Sequence, residues 1–348
     1  MARKEEKTDE LALLKAAIKD GKLAPLYIFH GEETFLLHHY LERIKKQRTD
    51  ELTESFNSHK LTSETFSVQA LADAVENLPM MAEYTFVWVD EIDLFKLPEA
   101  DRNKIAEILA DIPDYCCVVF TYETTPWKPD KRLKKLWDAI SQNAQIVEFA
   151  KQEQRDLVPW IIRHFAARKK TITADLAVYL IELTGGTMTT LAGEIAKICA
   201  YSGADAICRA DIDAVTEPVM DAVVYQMTDM LGSGQYGKAL EKLTQLLKMQ
   251  EEPIGILGAI GGQMRRISAA RTLLDNGRGV DDLMRLYGLK EYPARKTMES
   301  AKRFSAKFCS NAMEWIMEAD NQLKSSYDDP DRILELLILR FAQEARNG

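Results

Sequence analysis

The sequence predicts an α/β domain built on a mainly parallel sheet, followed by an all-α region of comparable length. Over the first 150 residues, short apolar runs alternate with helical patterns, as they do where crossover helices connect parallel strands. After about residue 150 the strand pattern disappears, and helical periodicity continues along the rest of the chain. No fixed-period repeat is present, so a solenoid is not predicted.

Five strands are predicted from short apolar or β-branched runs: Pro25–His30, Lys60–Phe66, Thr85–Val89, Cys116–Thr121 and Gln145–Phe149. Helical spacing of apolar residues fills the intervals between them, for example from Leu37 to Ile44. Ser67 is predicted to cap a helix that contains Leu71 and Val75, because serine accepts hydrogen bonds from the free N–H groups of a first helical turn.

Ten helices are predicted beyond residue 150, with breaks at Gly185-Gly186 and Pro218. They are Gln154–Arg168, Ala174–Leu183, Thr189–Tyr201, Met220–Leu231, Tyr236–Lys248, Pro253–Leu274, Val280–Leu286, Ala294–Arg303, Ala306–Ser325 and Arg332–Arg346. The last third of the chain is therefore predicted to be a helical domain.

Composition and charge disfavour several classes of protein. The longest run without charged residues, Pro253–Met264, has 12 residues, whereas a membrane-spanning helix needs about 20. The N-terminus has no apolar core of a secretory signal. Five cysteines, none in a C-x-x-C pair, are typical of a reduced cytoplasmic chain. A net charge of −9 disfavours an independent nucleic-acid binder.

Two patterns suggest a nucleotide site, and both are incomplete. The stretch Gly232–Ala239 resembles a P-loop, but a helical pattern precedes it and Ala239 replaces the hydroxyl that would bind magnesium, which favours a helix–helix connection around Lys238. The run Phe86–Val89 ends in Asp90 and Glu91, as in a Walker B strand.

The turn that would hold the phosphates is Gly31-Glu32-Glu33, which has no lysine. Each carboxylate would repel a phosphate by about 1 kcal/mol at about 4 Å, even in water. The sequence therefore predicts a nucleotide-binding fold with a degenerate site and no ATP hydrolysis. An active ATPase that uses Asp90 and Glu91 remains the alternative. Neither metal ligation nor serine-hydrolase chemistry is predicted. The histidines have neither the H-x-x-x-H nor the H-E-x-x-H spacing of metal sites, and the sequence has no G-x-S-x-G nucleophile elbow.

The segment Leu78-Pro79-Met80-Met81-Ala82 lies between a predicted helix and strand. Two adjacent flexible apolar side chains at a turn could fill a partner's pocket. The residues alone favour packing against the core, because most methionines are buried.

The segment Met264–Phe308 carries 11 basic and 5 acidic residues, a net charge of +6. Arg265, Arg266 and Arg271 belong to it. Three interpretations stay open: solvated helix faces, a docking surface for acidic subunits, or contact with DNA phosphates. No aromatic ladder accompanies the charges, so base stacking is not indicated.

Taken together, these patterns resemble the delta subunit family of bacterial DNA polymerase III clamp loaders. The matching segments are Leu26–Glu33 with Phe35-Leu36, Leu78–Glu83, the set Gly186, Leu191, Glu194, Lys197 and Tyr201, Ala239-Leu240, Glu252–Leu257 and Gln263-Met264-Arg265. They span residues 24–345 in the family's order. The Ser-Arg-Cys motif of the related ATPase and delta-prime subunits is missing, as in delta.

The resemblance implies α/β plus all-α architecture in four parts. These are an N-terminal helical extension (1–23), an AAA+-like parallel-sheet domain with a degenerate nucleotide site (24–150), a small helical lid domain (151–217) and a helical collar domain that assembles the subunits (218–348). It also implies no cofactor, no metal, no catalytic activity outside the polymerase holoenzyme, and a cytoplasmic location without membrane contact.

The implied partners are the beta sliding clamp, the tau/gamma ATPase subunits, the delta-prime subunit and, within the complex, primer–template DNA. Met80 and Met81, supported by Leu78, fall where the family inserts two bulky apolar residues into the clamp and favours an open ring. Methionine stands here where phenylalanine often does. The resemblance thus favours clamp binding over core packing for this loop. A free-standing DNA-binding protein remains a further alternative.

Overall fold

The computed structural model describes residues 10–50, 52–249, 251–289 and 291–347. The chain divides into two compact units, Met1–Pro159 with Thr187–Gly193, and Trp160–Gly186 with Glu194–Gly348. Within the described ranges, no helix is both long and apolar enough to cross a membrane.

The first unit contains five parallel strands in the order β2-β3-β4-β1-β5. Along the chain, its elements are α1 (Glu10–Asp20), β1 (Leu26–His30), α2 (Thr34–Arg48), α3 (Glu54–Asn57), β2 (Ser58–Leu61), α4 (Val68–Glu76), β3 (Thr85–Asp90), a 3-10 turn (Leu94–Lys96), α5 (Glu99–Ala110), β4 (Cys116–Tyr122), α6 (Lys134–Asn143) and β5 (Ala144–Glu148). The predicted parallel sheet is confirmed.

Helices cover both faces of this sheet. In β1, Leu26 and Ile28 belong to a core shared with α4, α5 and α6, whereas Tyr27 and Phe29 belong to a core shared with α1 and α2. Successive strand side chains point to opposite faces, so β1 contributes to both cores. All seven residues of the central β4 are buried, as expected for a parallel strand covered on both sides.

One local prediction is confirmed in this unit and another is wrong. The Ser67 side chain accepts a hydrogen bond from the Ala70 N–H and caps α4, as predicted. The strand predicted over Lys60–Phe66 instead ends at Leu61. The chain turns there, because the backbone N–H groups of Thr65 and Phe66 donate to the Thr62 carbonyl. The first nine residues of the predicted N-terminal extension lie outside the described ranges.

The rest of the chain is helical, as predicted. The helices are α7 (Gln154–Ala166), α8 (Ala174–Thr184), α9 (Met188–Tyr201), α10 (Arg209–Val215), α11 (Met220–Gly232), α12 (Tyr236–Lys248), α13 (Pro253–Asp275), α14 (Val280–Tyr287), α15 (Glu291–Ala301), α16 (Ala306–Ser325) and α17 (Pro330–Asn347). One hydrophobic core unites α11–α17, with Ile256, Ile260 and Ile267 of α13 buried in it. The glycine-rich segment around Gly234 connects α11 to α12 and follows a helix, not a strand.

Candidate functional site

The α4–β3 loop, residues 77–84, carries an exposed apolar tip. Met81 is 95% exposed, Met80 is 55% exposed, and Leu78 is exposed as well. The two methionines therefore do not pack against the core. The residues alone favoured core packing, and the structure differs from that prediction. Exposed methionine side chains suit a surface that adapts to an apolar partner.

Contacts with the body of the first unit fix both ends of this loop. The Thr85 hydroxyl donates to the Asn77 carbonyl at 3.2 Å. The Arg48 guanidinium lies 3.9 Å from the centre of the Tyr84 ring, a favourable cation–π contact. Met81 has a φ of +55°, which non-glycine residues rarely adopt. The tip therefore projects from an ordered, locally strained backbone.

A second apolar segment lies beside the tip. Leu52 and Phe56 are exposed large apolar residues, and the next residue after Phe56, Asn57, hydrogen-bonds to the backbone of Met80. Sequence reasoning missed both apolar residues. Their signal was two large apolar side chains in a short polar stretch without helical or strand periodicity.

The turn after β1 does not have the geometry of a P-loop. Gly31 has a φ of +131°, and a Cβ atom there would lie 2.3 Å from the Phe149 carbonyl oxygen. Backbone hydrogen bonds join the same segments, from Phe149 N–H to the His30 carbonyl at 2.7 Å and from Glu33 N–H to the Phe149 carbonyl at 2.9 Å. The chain that leaves β5 therefore packs directly against the turn where a P-loop would cradle phosphates.

The Glu33 carboxyl group lies at this turn, at the start of α2. Glu33 is buried and precedes the first residue of α2. Burial raises the pKa of Glu33, and hydrogen bonds from the backbone N–H groups of Met188, Phe35 and Gln152 partly offset that rise. Helix N-termini favour anions, so a carboxyl group at this position leaves less room there for a nucleotide phosphate. Glu32, by contrast, is exposed.

Asp90 is already paired at the end of β3. Its carboxylate accepts a hydrogen bond from the Thr121 hydroxyl at 2.9 Å and forms an ion pair with Lys60 at 3.1 Å. The Lys60 ammonium also lies 3.6 Å from the centre of the Trp88 ring. These contacts engage the aspartate that would help to hold magnesium in an active site. Among the described residues, no group of three histidine, cysteine, aspartate or glutamate side chains could hold a metal ion.

Glu91 holds a neighbouring loop together. Its carboxylate accepts hydrogen bonds from the backbone N–H groups of Glu123, Thr124 and Thr125 at 2.5, 3.0 and 2.7 Å. Burial would raise the pKa of Glu91, but these hydrogen bonds outweigh it and lower the pKa to about 2. A carboxylate that accepts several N–H groups is a poor general base. Glu91 of the Walker B-like sequence therefore stabilises the neighbouring loop.

The basic residues of the second unit are not gathered into one free surface. Arg271 pairs with Asp275, and Arg266 donates to the Gln263 side chain at 2.9 Å. Arg265 lines a groove of about 320 Å³ between α13 and α16, beside Ile254 and Met317. Acidic residues from outside the basic stretch pair with it as well, in Arg303–Asp229 and Lys296–Glu182.

Two family models match the chain. The model for the DNA polymerase III delta subunit matches residues 27–150, and the model for the C-terminal domain of that subunit matches residues 221–341. The chain is 25% identical over 332 residues to "DNA polymerase III subunit delta" of Bacillus subtilis, with 93% of this chain and 95% of the relative covered.

A second relative and a solved structure are similar to this chain as well. A "Probable DNA polymerase III subunit delta" of Aquifex aeolicus is 19% identical over 324 residues, with 92% of each chain covered. A solved structure, "Bacillus subtilis DNA clamp loader delta protein (YqeN)", superposes with a TM-score of 0.60 at 23% identity and covers 96% of this chain and 99% of that one. With both of its family models matched in order along one chain, this protein belongs to the family of DNA polymerase III delta subunits.

Proposed function

We propose that this chain is the delta subunit of a bacterial clamp loader and that it binds and opens the ring-shaped sliding clamp. The observation that carries the proposal is the ordered loop on which Leu78, Met80 and Met81 are exposed. Exposed apolar residues clustered on a fixed scaffold are typical of protein–protein contacts.

The physical contribution of the tip can be estimated from its apolar area. Burying one methionine side chain stabilises a complex by about 1.5–3 kcal/mol. Two neighbouring methionines that enter one pocket therefore shift the clamp towards its open form if the pocket accepts them only in that form.

The chain does no ATP chemistry in this proposal. Glu33 places a carboxyl group at the helix N-terminus that a phosphate would need, and Asp90 and Glu91 are engaged in internal contacts. The tau/gamma subunits of the same assembly would hydrolyse ATP, with delta-prime completing the ring. The collar domain, residues 218–348, joins these neighbours, and the exposed apolar residues Ile254 and Met317 beside the α13–α16 groove favour that role.

Contact with primer–template DNA belongs to the assembly, not to the free chain. The net charge of −9 gives the free chain little long-range attraction for DNA. The basic stretch 264–308 would meet phosphates only once neighbours hold it against the duplex. Arg265, Arg266 and Arg271 are the residues that we assign to either DNA or subunit contact.

The direct test is binding of the purified chain to the sliding clamp of the same organism. We expect saturable binding of the chain to the clamp by calorimetry, and faster release of clamps from nicked circular DNA when the chain is added. A chain that neither binds the clamp nor accelerates its release contradicts the proposal. An unrelated ring protein of similar size serves as the control.

We also expect no nucleotide binding by the isolated chain. Because the P-loop lysine is missing and Glu33 occupies the helix N-terminus, titration with fluorescent ATP up to about 100 µM should give no saturable signal, and Lys238→Ala should behave as the wild type does. Stoichiometric binding at micromolar ATP would favour the active-ATPase alternative instead.

A further inference from the structure

We propose that Asn57 is a positioning residue that holds the Met80–Met81 tip in the conformation that enters the clamp. This inference rests on the proposed function and concerns a residue that contacts the loop, not the clamp. Asn57 ends α3, directly before β2, and is 1% exposed.

The Asn57 side-chain amide makes two hydrogen bonds to the backbone of Met80. Its Nδ2 donates to the Met80 carbonyl at 2.9 Å, and its Oδ1 accepts from the Met80 N–H at 2.7 Å. The amide thus gives Met80 the two hydrogen bonds that a neighbouring strand would give it. The backbone is held while the methionine side chains stay free to project outwards.

Backbone–backbone hydrogen bonds do not hold the tip in the part of the chain that the structure describes. Among the described residues, no backbone–backbone hydrogen bond joins residues 78–84 to the rest of the chain. Met81 follows with a φ of +55°, a conformation that a free loop would populate only in part. Asn57 therefore fixes the residue that enters the strained turn.

Asn57 is itself tied to the scaffold. Its backbone N–H donates to the Thr53 carbonyl at 3.1 Å, and the Thr53 N–H donates to the Asp50 carboxylate at 2.9 Å. Glu54, in the same short helix, forms an ion pair with Lys45 of α2 at 2.6 Å. A continuous set of contacts thus leads from the long helix α2 to Met80.

Holding a binding loop in its bound conformation raises affinity because less conformational freedom is lost on binding. Two neutral hydrogen bonds near a surface each contribute modestly. Their loss should weaken clamp binding by about 5- to 20-fold, without removing any group that contacts the clamp.

The experiment compares Asn57→Ala with Asn143→Ala in the full chain. Asn143 is a matched control, because its side-chain Nδ2 also donates to a backbone carbonyl, that of Ala139, at 2.8 Å, and it precedes β5 at the opposite edge of the sheet. We expect Asn57→Ala to lose about 5- to 20-fold in clamp affinity and Asn143→Ala to lose none. Amide hydrogen exchange at Met80 should accelerate only in Asn57→Ala.

A second variant tests the donor of this pair. Asn57→Asp keeps the side-chain shape and the acceptor for the Met80 N–H, but it places an acceptor against the Met80 carbonyl. Because a carboxyl group at a buried position costs stability, thermal unfolding of both Asn57 variants is measured, and affinity is compared at a temperature where each is folded. Folded Asn57→Asp should bind the clamp more weakly than the wild type, and wild-type affinity would contradict the inference.

A mutant cycle separates positioning from general destabilisation. If Asn57 acts through the tip, adding Asn57→Ala to Met80→Ala/Met81→Ala should cause little further loss of affinity. Wild-type affinity of Asn57→Ala, or a fully additive loss in the triple variant, would overturn the inference while the proposed function stands. Failure of the wild-type chain to bind the clamp would overturn both.

Discussion

Replacing both tip methionines, in Met80→Ala/Met81→Ala, is expected to weaken clamp binding by about 10- to 1000-fold. Each methionine contributes about 1.5–3 kcal/mol when buried in a partner, and neighbouring contributions are not additive. Met81 is 95% exposed in the free chain, so the melting temperature should hardly change. The measurement pairs clamp affinity by calorimetry with thermal unfolding of the same variant.

The exposed leucine Leu286 of α14 provides the control. Leu286→Ala removes a comparable exposed apolar side chain from the second unit and should leave clamp affinity unchanged. If the methionine variant binds the clamp as the wild type does, the loop is not the binding site. If its melting temperature falls sharply, the methionines stabilise the fold itself.

Gly31→Ala is expected to lower the free energy of unfolding by about 2–5 kcal/mol. The new Cβ would lie 2.3 Å from the Phe149 carbonyl oxygen, and the φ of +131° is unfavourable for alanine. Because the obstacle is backbone and not a flexible side chain, relief requires movement of the turn or of the end of β5. Urea unfolding followed by circular dichroism measures the loss.

Gly193→Ala is the matched control for this substitution. Gly193 lies inside α9, and nothing stands within 4 Å of its Cβ position. Alanine is a better helix former than glycine by about 1 kcal/mol, so this variant should be as stable as the wild type or more so. Equal stability of the two alanine variants would mean that Phe149 does not restrict the turn.

Much of the fold could be predicted from the sequence because its elements are locally encoded. The apolar runs that become β1, β3 and β4 are typical of a sheet covered on both faces. Helical periodicity also predicts the first and last residues of the helices α12 and α16. The edge strand β2 was misplaced, since its residues Ser58–Leu61 are mostly polar and half-buried and carry little strand signal.

The candidate site was harder to predict because its contacts join distant parts of the chain. The loop with Met80 and Met81 could be found from sequence, but Asn57 lies 23 residues before Met80 and its sequence neighbours give no hint of the pairing. Glu91 had the sequence signature of a catalytic carboxylate. Only the folded chain brings it to the N–H groups of Glu123–Thr125, which lower its pKa.

The buried carboxylate of Glu33 has a consequence for energy coupling. A ligand that binds only the native state raises stability with its concentration, and a bound nucleotide would make an ATPase subunit respond to the ratio of ATP to ADP. Glu33 is covalently part of the chain, so its carboxyl group stays beside the N–H groups of Phe35 and Met188 at every nucleotide concentration. The turn after β1 therefore has no built-in dependence on the ratio of ATP to ADP.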